Sequence, residues 1–189
     1  MTRDRLKIIF RIIYAIYAVV LVYLFLQSSF LNIAIAVLSL IGISVLGWLN
    51  KKYNHLFNDS ITAVLIVFTM LSLLFGTCLN FYDIKYYDDF LHVWSGIIGC
   101  SLAYFIYGCF AENKVDTKKK TVFILIYMFM FSMGVASIWE LIEFGMDKFL
   151  GFECQAGGLV DTMIDTLDCM IGSIFMICYY YFKIRKSLF

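Results

Sequence analysis

Residues 8–49 read IIFRIIYAIYAVVLVYLFLQSSFLNIAIAVLSLIGISVLGWL and contain one charged residue, Arg11. A membrane-spanning α-helix needs about 20 predominantly apolar residues, so a stretch of roughly 40 is enough for two. The polar step Gln27-Ser28-Ser29 divides it, and spans are expected over Ile8–Gln27 and Phe30–Leu49. Arg11 sits close enough to the end of the first span to reach water along its aliphatic stem. Arg3, Arg5 and Lys7 precede that span as they would in a secretory signal. Its apolar stretch is too long for one, and no A-x-A-like cleavage site follows, so it is read as a mature helix.

Beyond this stretch, four more apolar runs bounded by polar clusters predict spans near Ile61–Phe81, Asp89–Phe110, Thr121–Phe144 and Leu159–Phe182. Composition agrees: 62% of the residues are hydrophobic, 15% are charged, and proline is absent. A soluble domain carries about 45–50% apolar and about 25% charged residues, so the excess must face lipid. The net charge of +1 excludes a strongly basic nucleic-acid binder. No break between spans is long enough for a soluble domain. The expectation is an all-α integral membrane protein, a six-helix bundle forming one domain over residues 1–189. Helices one to three, about 8–81, act as scaffold; helices four to six, about 89–182, carry the polar residues.

Lys and Arg resist translocation and so report direction. Across six spans, thirteen of the fifteen fall on one side, leaving Lys85 and Lys148 on the other. Both termini are therefore expected in the cytoplasm. Tyr82, Tyr86 and Tyr87 then mark the outer interface, and Tyr179, Tyr180 and Tyr181 the inner one. Cys78 and Cys154 fall near the outer face, where either a disulfide or two buried thiols would suit them. His55, in an inner loop, is read as solvated.

The acids are distributed the opposite way. Asp4, Asp59, Glu112 and Asp116 lie inside, and the other ten lie outside or in the outer half of a span. Helix four enters with Asp88, Asp89 and His92, helix five leaves with Glu140 and Glu143, and helix six re-enters with Asp161, Asp165 and Asp168. The spacings are i, i+3 for Asp89/His92 and Glu140/Glu143, and i, i+4, i+7 for the three aspartates, so each set shares one helix face. An acid at a span centre costs about 2.5–3.5 kcal/mol on insertion scales. Seven such groups sum to on the order of 10 kcal/mol even after a discount for depth, which lipid-facing positions could not sustain. They are expected to face one another, with Ser95, Gly96, Gly99, Gly134, Gly172 and Ser173 letting the backbones approach. Asp88 and Asp161 also suit helix N-termini, where the dipole favours an acid.

Carboxylates at close range need shared protons or a cation between them. Oxygen donors suit Mg, Mn or Ca, whereas zinc leans on His and Cys. With one His in the spans, a three-His zinc site is excluded. Nothing marks Ser95 as an activated nucleophile beside His92. The candidate cation ligands are Asp89, His92, Glu140, Glu143, Asp161 and Asp165, with acid–base work assigned to His92, Glu140 and Asp168.

The run Asp89-x2-His92-x3-Gly96, Trp139-Glu140-x2-Glu143, Gln155, Asp161-Thr162-x2-Asp165 and Ile171-Gly172 resembles the uncharacterised bacterial inner-membrane family typified by YjdF. The likeness covers roughly residues 83–175, and the order of motifs is more distantly similar to the VanZ-like proteins. Asp168 and Phe90 depart from the family pattern. The resemblance implies a multi-pass protein of the bacterial cytoplasmic membrane with a shared acidic motif set, and supplies no catalytic residues.

Three readings of function follow. The leading one is a divalent-cation-dependent site, open to the extracytoplasmic side, acting on a lipid or cell-envelope intermediate by hydrolysis or group transfer. The second is a proton- or cation-coupled transporter; the absence of proline and the scarcity of polar groups in the inner half, beyond Ser101, Tyr104 and Thr121, weigh against it. The third is a structural or immunity-type protein with an inert polar network.

Overall fold

Six helices are long and apolar enough to cross a membrane: Asp4–Leu26, Phe30–Lys52, Asp59–Cys78, Tyr87–Phe110, Lys120–Phe149 and Leu159–Ile184. They are seen in a computed structural model that describes residues 3–53, 59–110, 118–155 and 157–186, and all regular structure among these is helical. His55, Glu112, Lys114 and Asp116 lie outside the described residues, as do the side chains of Arg3, Lys118, Lys119, Arg185 and Lys186. The chain divides into two compact units, residues 1–87 and 88–189.

The first unit contains α1 (Arg3–Leu26), α2 (Phe30–Lys52) and α3 (Asp59–Thr69), the last continuing as π-helical turns over Met70–Cys78. The α1–α2 turn is tight. Ser28 adopts a left-handed φ of 55°, and the Ser29 amide reaches back to Leu24 at 3.1 Å. The core between the helices is apolar, built on Ile13, Leu24, Ile43, Ile66 and Leu74. Within it the buried Tyr17 and Ser39 are matched to each other, with Tyr17 Oη and Ser39 Oγ 2.8 Å apart. The third span was expected to run to Phe81, but it stops at Cys78. Asn80 takes a left-handed φ of 57°, which α-helical hydrogen bonding cannot propagate, and Phe81–Asp83 form a single 3-10 turn. Cys78 is a free thiol that donates to the Asn32 carbonyl at 3.3 Å, and Cys154 is also free.

The second unit contains α4 (Tyr87–Phe110, all but its first residue), α5 (Lys118–Gly145, continued by π-helical turns over Met146–Leu150) and α6 (Leu159–Lys186). Its helices are inside-out relative to a soluble protein. Along α5 the buried stripe Ile124, Met128, Ser132, Ala136 and Glu140 recurs every four residues and grows polar, whereas Val122, Phe123, Ile126 and Met130 are exposed. In water so large an exposed apolar surface is unfavourable; in hydrocarbon it costs nothing. The protein is an integral membrane protein with six spans.

Small residues set the helix separations in this unit. A Cβ added at Gly96 would strike the α6 backbone at Cys169, and one added at Gly172 would strike the α4 backbone at Val93. The two glycines thus form a reciprocal crossing of α4 over α6 in which backbone meets backbone. Gly99 leaves room for α5 in another way, lying against the Ser132 side chain. Ser173 donates to Ser132 Oγ at 2.8 Å, and Ser132 donates to the Gly96 carbonyl at 3.1 Å, so the polar atoms of the crossing are satisfied. Gly134 and Ser95 play no part in it. Gly134 faces open space, and Ser95 donates to the His92 carbonyl of its own helix.

Candidate functional site

The polar residues gather on one side of the Gly96–Gly172 crossing, and each helix brings them along the face it already buries. On α4, His92 lies one turn before Gly96 and shares its buried face, while Asp88 and Asp89 stand in the first turn. On α5, Glu140 is the next residue of the buried stripe after Ala136 and is only 7% exposed. Glu143 follows at i+3, and its Oε1 accepts from Trp139 Nε1 at 2.7 Å. On α6, Asp165 precedes Cys169 on the stripe leading to Gly172 and is 3% exposed. The same helical periods that close the crossing therefore converge the acids.

Asp165 is the hub. His92 Nε2 lies 3.7 Å from Asp165 Oδ1 and 3.5 Å from Asp88 Oδ1, so the ring stands between two carboxylates. Three sets of donor atoms each fall within 4.8 Å of one another: Asp88/His92/Asp165, Asp89/Asp165/Asp168, and Glu140/Glu143/Asp165. Asp165 belongs to all three. Like charges at such separations in a medium of low dielectric repel strongly unless a proton or a cation is shared among them.

The connection between α5 and α6 straps the site. Asp147 accepts from the amides of Cys154 at 2.7 Å and Gln155 at 2.8 Å, one on each oxygen. So held, Gln155 Nε2 donates to Thr162 Oγ1 at 2.7 Å, and its other hydrogen is shared by the carbonyl and Oε2 of Glu140 at 3.3 and 3.4 Å. The side chain thus links the end of α5 to the start of α6. Burial, reinforced by Asp147, pushes the Cys154 thiol up to about 11, so at neutral pH it is protonated and no thiolate ligand.

Of the residues singled out from sequence, Asp89, His92, Glu140, Glu143, Asp165 and Asp168 are brought together, and Asp161 is not. Asp161 stands in the first turn of α6 against Gly157 and belongs to none of the three donor sets. Asp88, for which the sequence left open both a helix start and a place in the cluster, is a neighbour of His92. Its i, i+4 spacing was the available signal. Asp147 and Gln155 act through loop geometry, which no periodicity announces.

Comparison with known proteins adds the family and little else. No curated protein and no solved structure matches the chain. A family model does match, over residues 9–186, from within the first helix to the end of the sixth, and it includes every residue of the site. The chain belongs to the family described as predicted membrane protein (DUF2238).

Proposed function

We propose that the Asp165-centred cluster is a divalent-cation site that acts on a lipid or cell-envelope intermediate, by hydrolysis or group transfer. The observation that carries this reading is the participation of one nearly inaccessible carboxylate, Asp165, in three donor sets drawn from three helices. Donors on opposite sides of an ion are separated by twice the metal–oxygen distance, about 4.0–4.2 Å for Mg and about 4.6–5.2 Å for Ca. Donor atoms that all lie within 4.8 Å of one another fall inside the span between opposite donors on Ca, and would have to draw closer together to hold Mg or Mn. Three or four protein donors would leave positions on such an ion for water or substrate. The ion would supply Lewis-acid polarisation of a phosphoryl or carbonyl oxygen. Of the chain's own groups, His92 would take up and return a proton at Nε2, the atom that faces the carboxylates of Asp88 and Asp165. Glu140, oriented by Gln155, and Asp168 offer further carboxylate oxygens for the ion or a proton.

The reading extends to sidedness and kinship. The thirteen-to-two division of basic residues supports cytoplasmic termini and an extracytoplasmic site. The motif order supports kinship with YjdF-like proteins of the bacterial cytoplasmic membrane. Coupled transport fits less well, because the backbone crossing at Gly96 and Gly172, tied by Ser132 and Ser173, closes the unit directly beneath the acids.

One observation favours an inert polar network instead: Glu140 and Glu143 already accept hydrogen bonds from Gln155 and Trp139. Thermal unfolding separates the two. A cation that binds only the folded state stabilises it by about 2.7 kcal/mol at a hundredfold excess over its dissociation constant. Ca, Mn or Mg should raise the melting temperature at neutral pH and chelator should reverse it, with the response lost in Asp165→Asn and kept in Asp161→Asn. Stabilisation by acid with indifference to cations would instead identify a shared-proton network.

A further inference from the structure

The first unit holds a cleft unrelated to the acidic cluster. Where α1 begins and α2 ends, the two helices leave between them a space of about 430 Å³, within the range of ~300–1,000 Å³ usual for small-molecule sites. Its lining is cationic at the mouth. Lys7 and Arg11 stand one turn apart on α1 and Lys51 faces them from α2, against a single lining acid, Asp59. That acid accepts from Asn50 Nδ2, also in the lining, at 2.9 Å, and Lys7 pairs with Asp4 at 3.0 Å. Among the described residues neither Arg11 nor Lys51 is in an ion pair.

Further in, the walls turn aromatic. Phe10 lies against the α2 backbone at Gly47, where any Cβ would strike its ring, and Trp48 stands beside it, 54% exposed. The inner end is closed by Tyr14 and Ser44, whose oxygens are 3.2 Å apart. Cations at the end of a spanning helix pair, with an apolar floor leading towards the hydrocarbon, are complementary to one kind of neighbour already present in a bilayer.

We propose that this cleft binds an anionic phospholipid, with Lys7, Arg11 and Lys51 at the headgroup phosphate and Phe10 and Trp48 against the glycerol and first acyl carbons. Arg11 then serves as an anion ligand, beyond merely reaching water from within a span.

The purified full-length protein, delipidated in neutral detergent, is titrated with phosphatidylglycerol, with phosphatidylcholine of the same acyl chains, and with inorganic phosphate. Binding is read by native mass spectrometry and by melting temperature. Phosphatidylglycerol is expected to form retained adducts and raise the melting temperature, while phosphatidylcholine and inorganic phosphate do neither. Loss of one charge-assisted contact, worth about 1.5–3 kcal/mol, should lower phosphatidylglycerol affinity tenfold or more in Arg11→Gln. Lys51→Gln should weaken it in the same sense and serves if Arg11→Gln does not fold. Lys85→Gln, away from the cleft lining, should bind as the parent does. Equal binding of the two lipids, parental affinity in Arg11→Gln and Lys51→Gln, or stabilisation by inorganic phosphate equal to that by phosphatidylglycerol would each overturn the proposal.

Discussion

The glycine crossing makes a demanding prediction, because two glycines of the same unit should respond in opposite directions to the same substitution. A methyl group at Gly172 would fall into the α4 backbone at Val93, with the Ile97 amide nitrogen next to it, and neither can move as a side-chain tip can. The helices must part. Forcing an extra carbon into a packed interface costs typically 1–3 kcal/mol, and a contact made by backbone on both sides belongs at the upper end. Gly134 on α5 has nothing within 4 Å, so Gly134→Ala meets no neighbour and gains about 0.5–1 kcal/mol of helix preference. Reversible unfolding in mixed detergent should therefore place Gly172→Ala and Gly134→Ala on opposite sides of the parent, about 2–4 kcal/mol apart. Parting α4 from α6 also moves His92 away from Asp165, now 3.7 Å apart, so Gly172→Ala should blunt any response to cations. A Gly172→Ala protein as stable as the parent, or a Gly134→Ala protein equally impaired, would refute the crossing.

Other expectations follow from the loop and from the charges. Gln155→Ala leaves buried Glu140 without its amide donor and should cost about 1–3 kcal/mol in the same unfolding assay; an unchanged midpoint would show that the strap contributes nothing. Asp147→Ala should speed hydrogen exchange at the Cys154 and Gln155 amides while leaving exchange within α6 as it was. Because the Cys154 thiol is raised from 9.0 to about 11, its thiolate is the minor form below that pH. Its alkylation rate, followed by peptide mass spectrometry, should thus still be climbing through pH 9–10, and a plateau there would contradict the burial. A cysteine placed at Lys148 should react with an impermeant reagent in intact cells; labelling only after permeabilisation would invert the topology.

How much of this was legible in the sequence differs by level. The six spans were, because a run such as residues 8–49 has no soluble alternative. Helix ends were less so: Asn80 ends the third span through a left-handed backbone conformation that hydropathy does not register. The convergence of Glu140 with Asp165 was readable from spacing, since each extends a stripe of small or apolar residues along its own helix. The choice among glycines was not, because Gly96, Gly134 and Gly172 look alike until the crossing angle decides which meets a backbone. Asp88 was half-legible, since the helix dipole offered a local explanation alongside a place in the cluster and said nothing of the ring at i+4. Asp147 and Gln155 depend on a loop path that carries no period at all.

Equilibrium binding decides whether the Asp165 cluster holds a divalent cation, as proposed. Calorimetric titration of Ca, Mn and Mg into the chelator-treated, full-length protein at neutral pH, with Asp165→Asn alongside, should show saturable uptake of at least one ion by the parent and none by the variant. No saturable uptake by a folded parent, or equal uptake by Asp165→Asn, would rule out a cation site at Asp165.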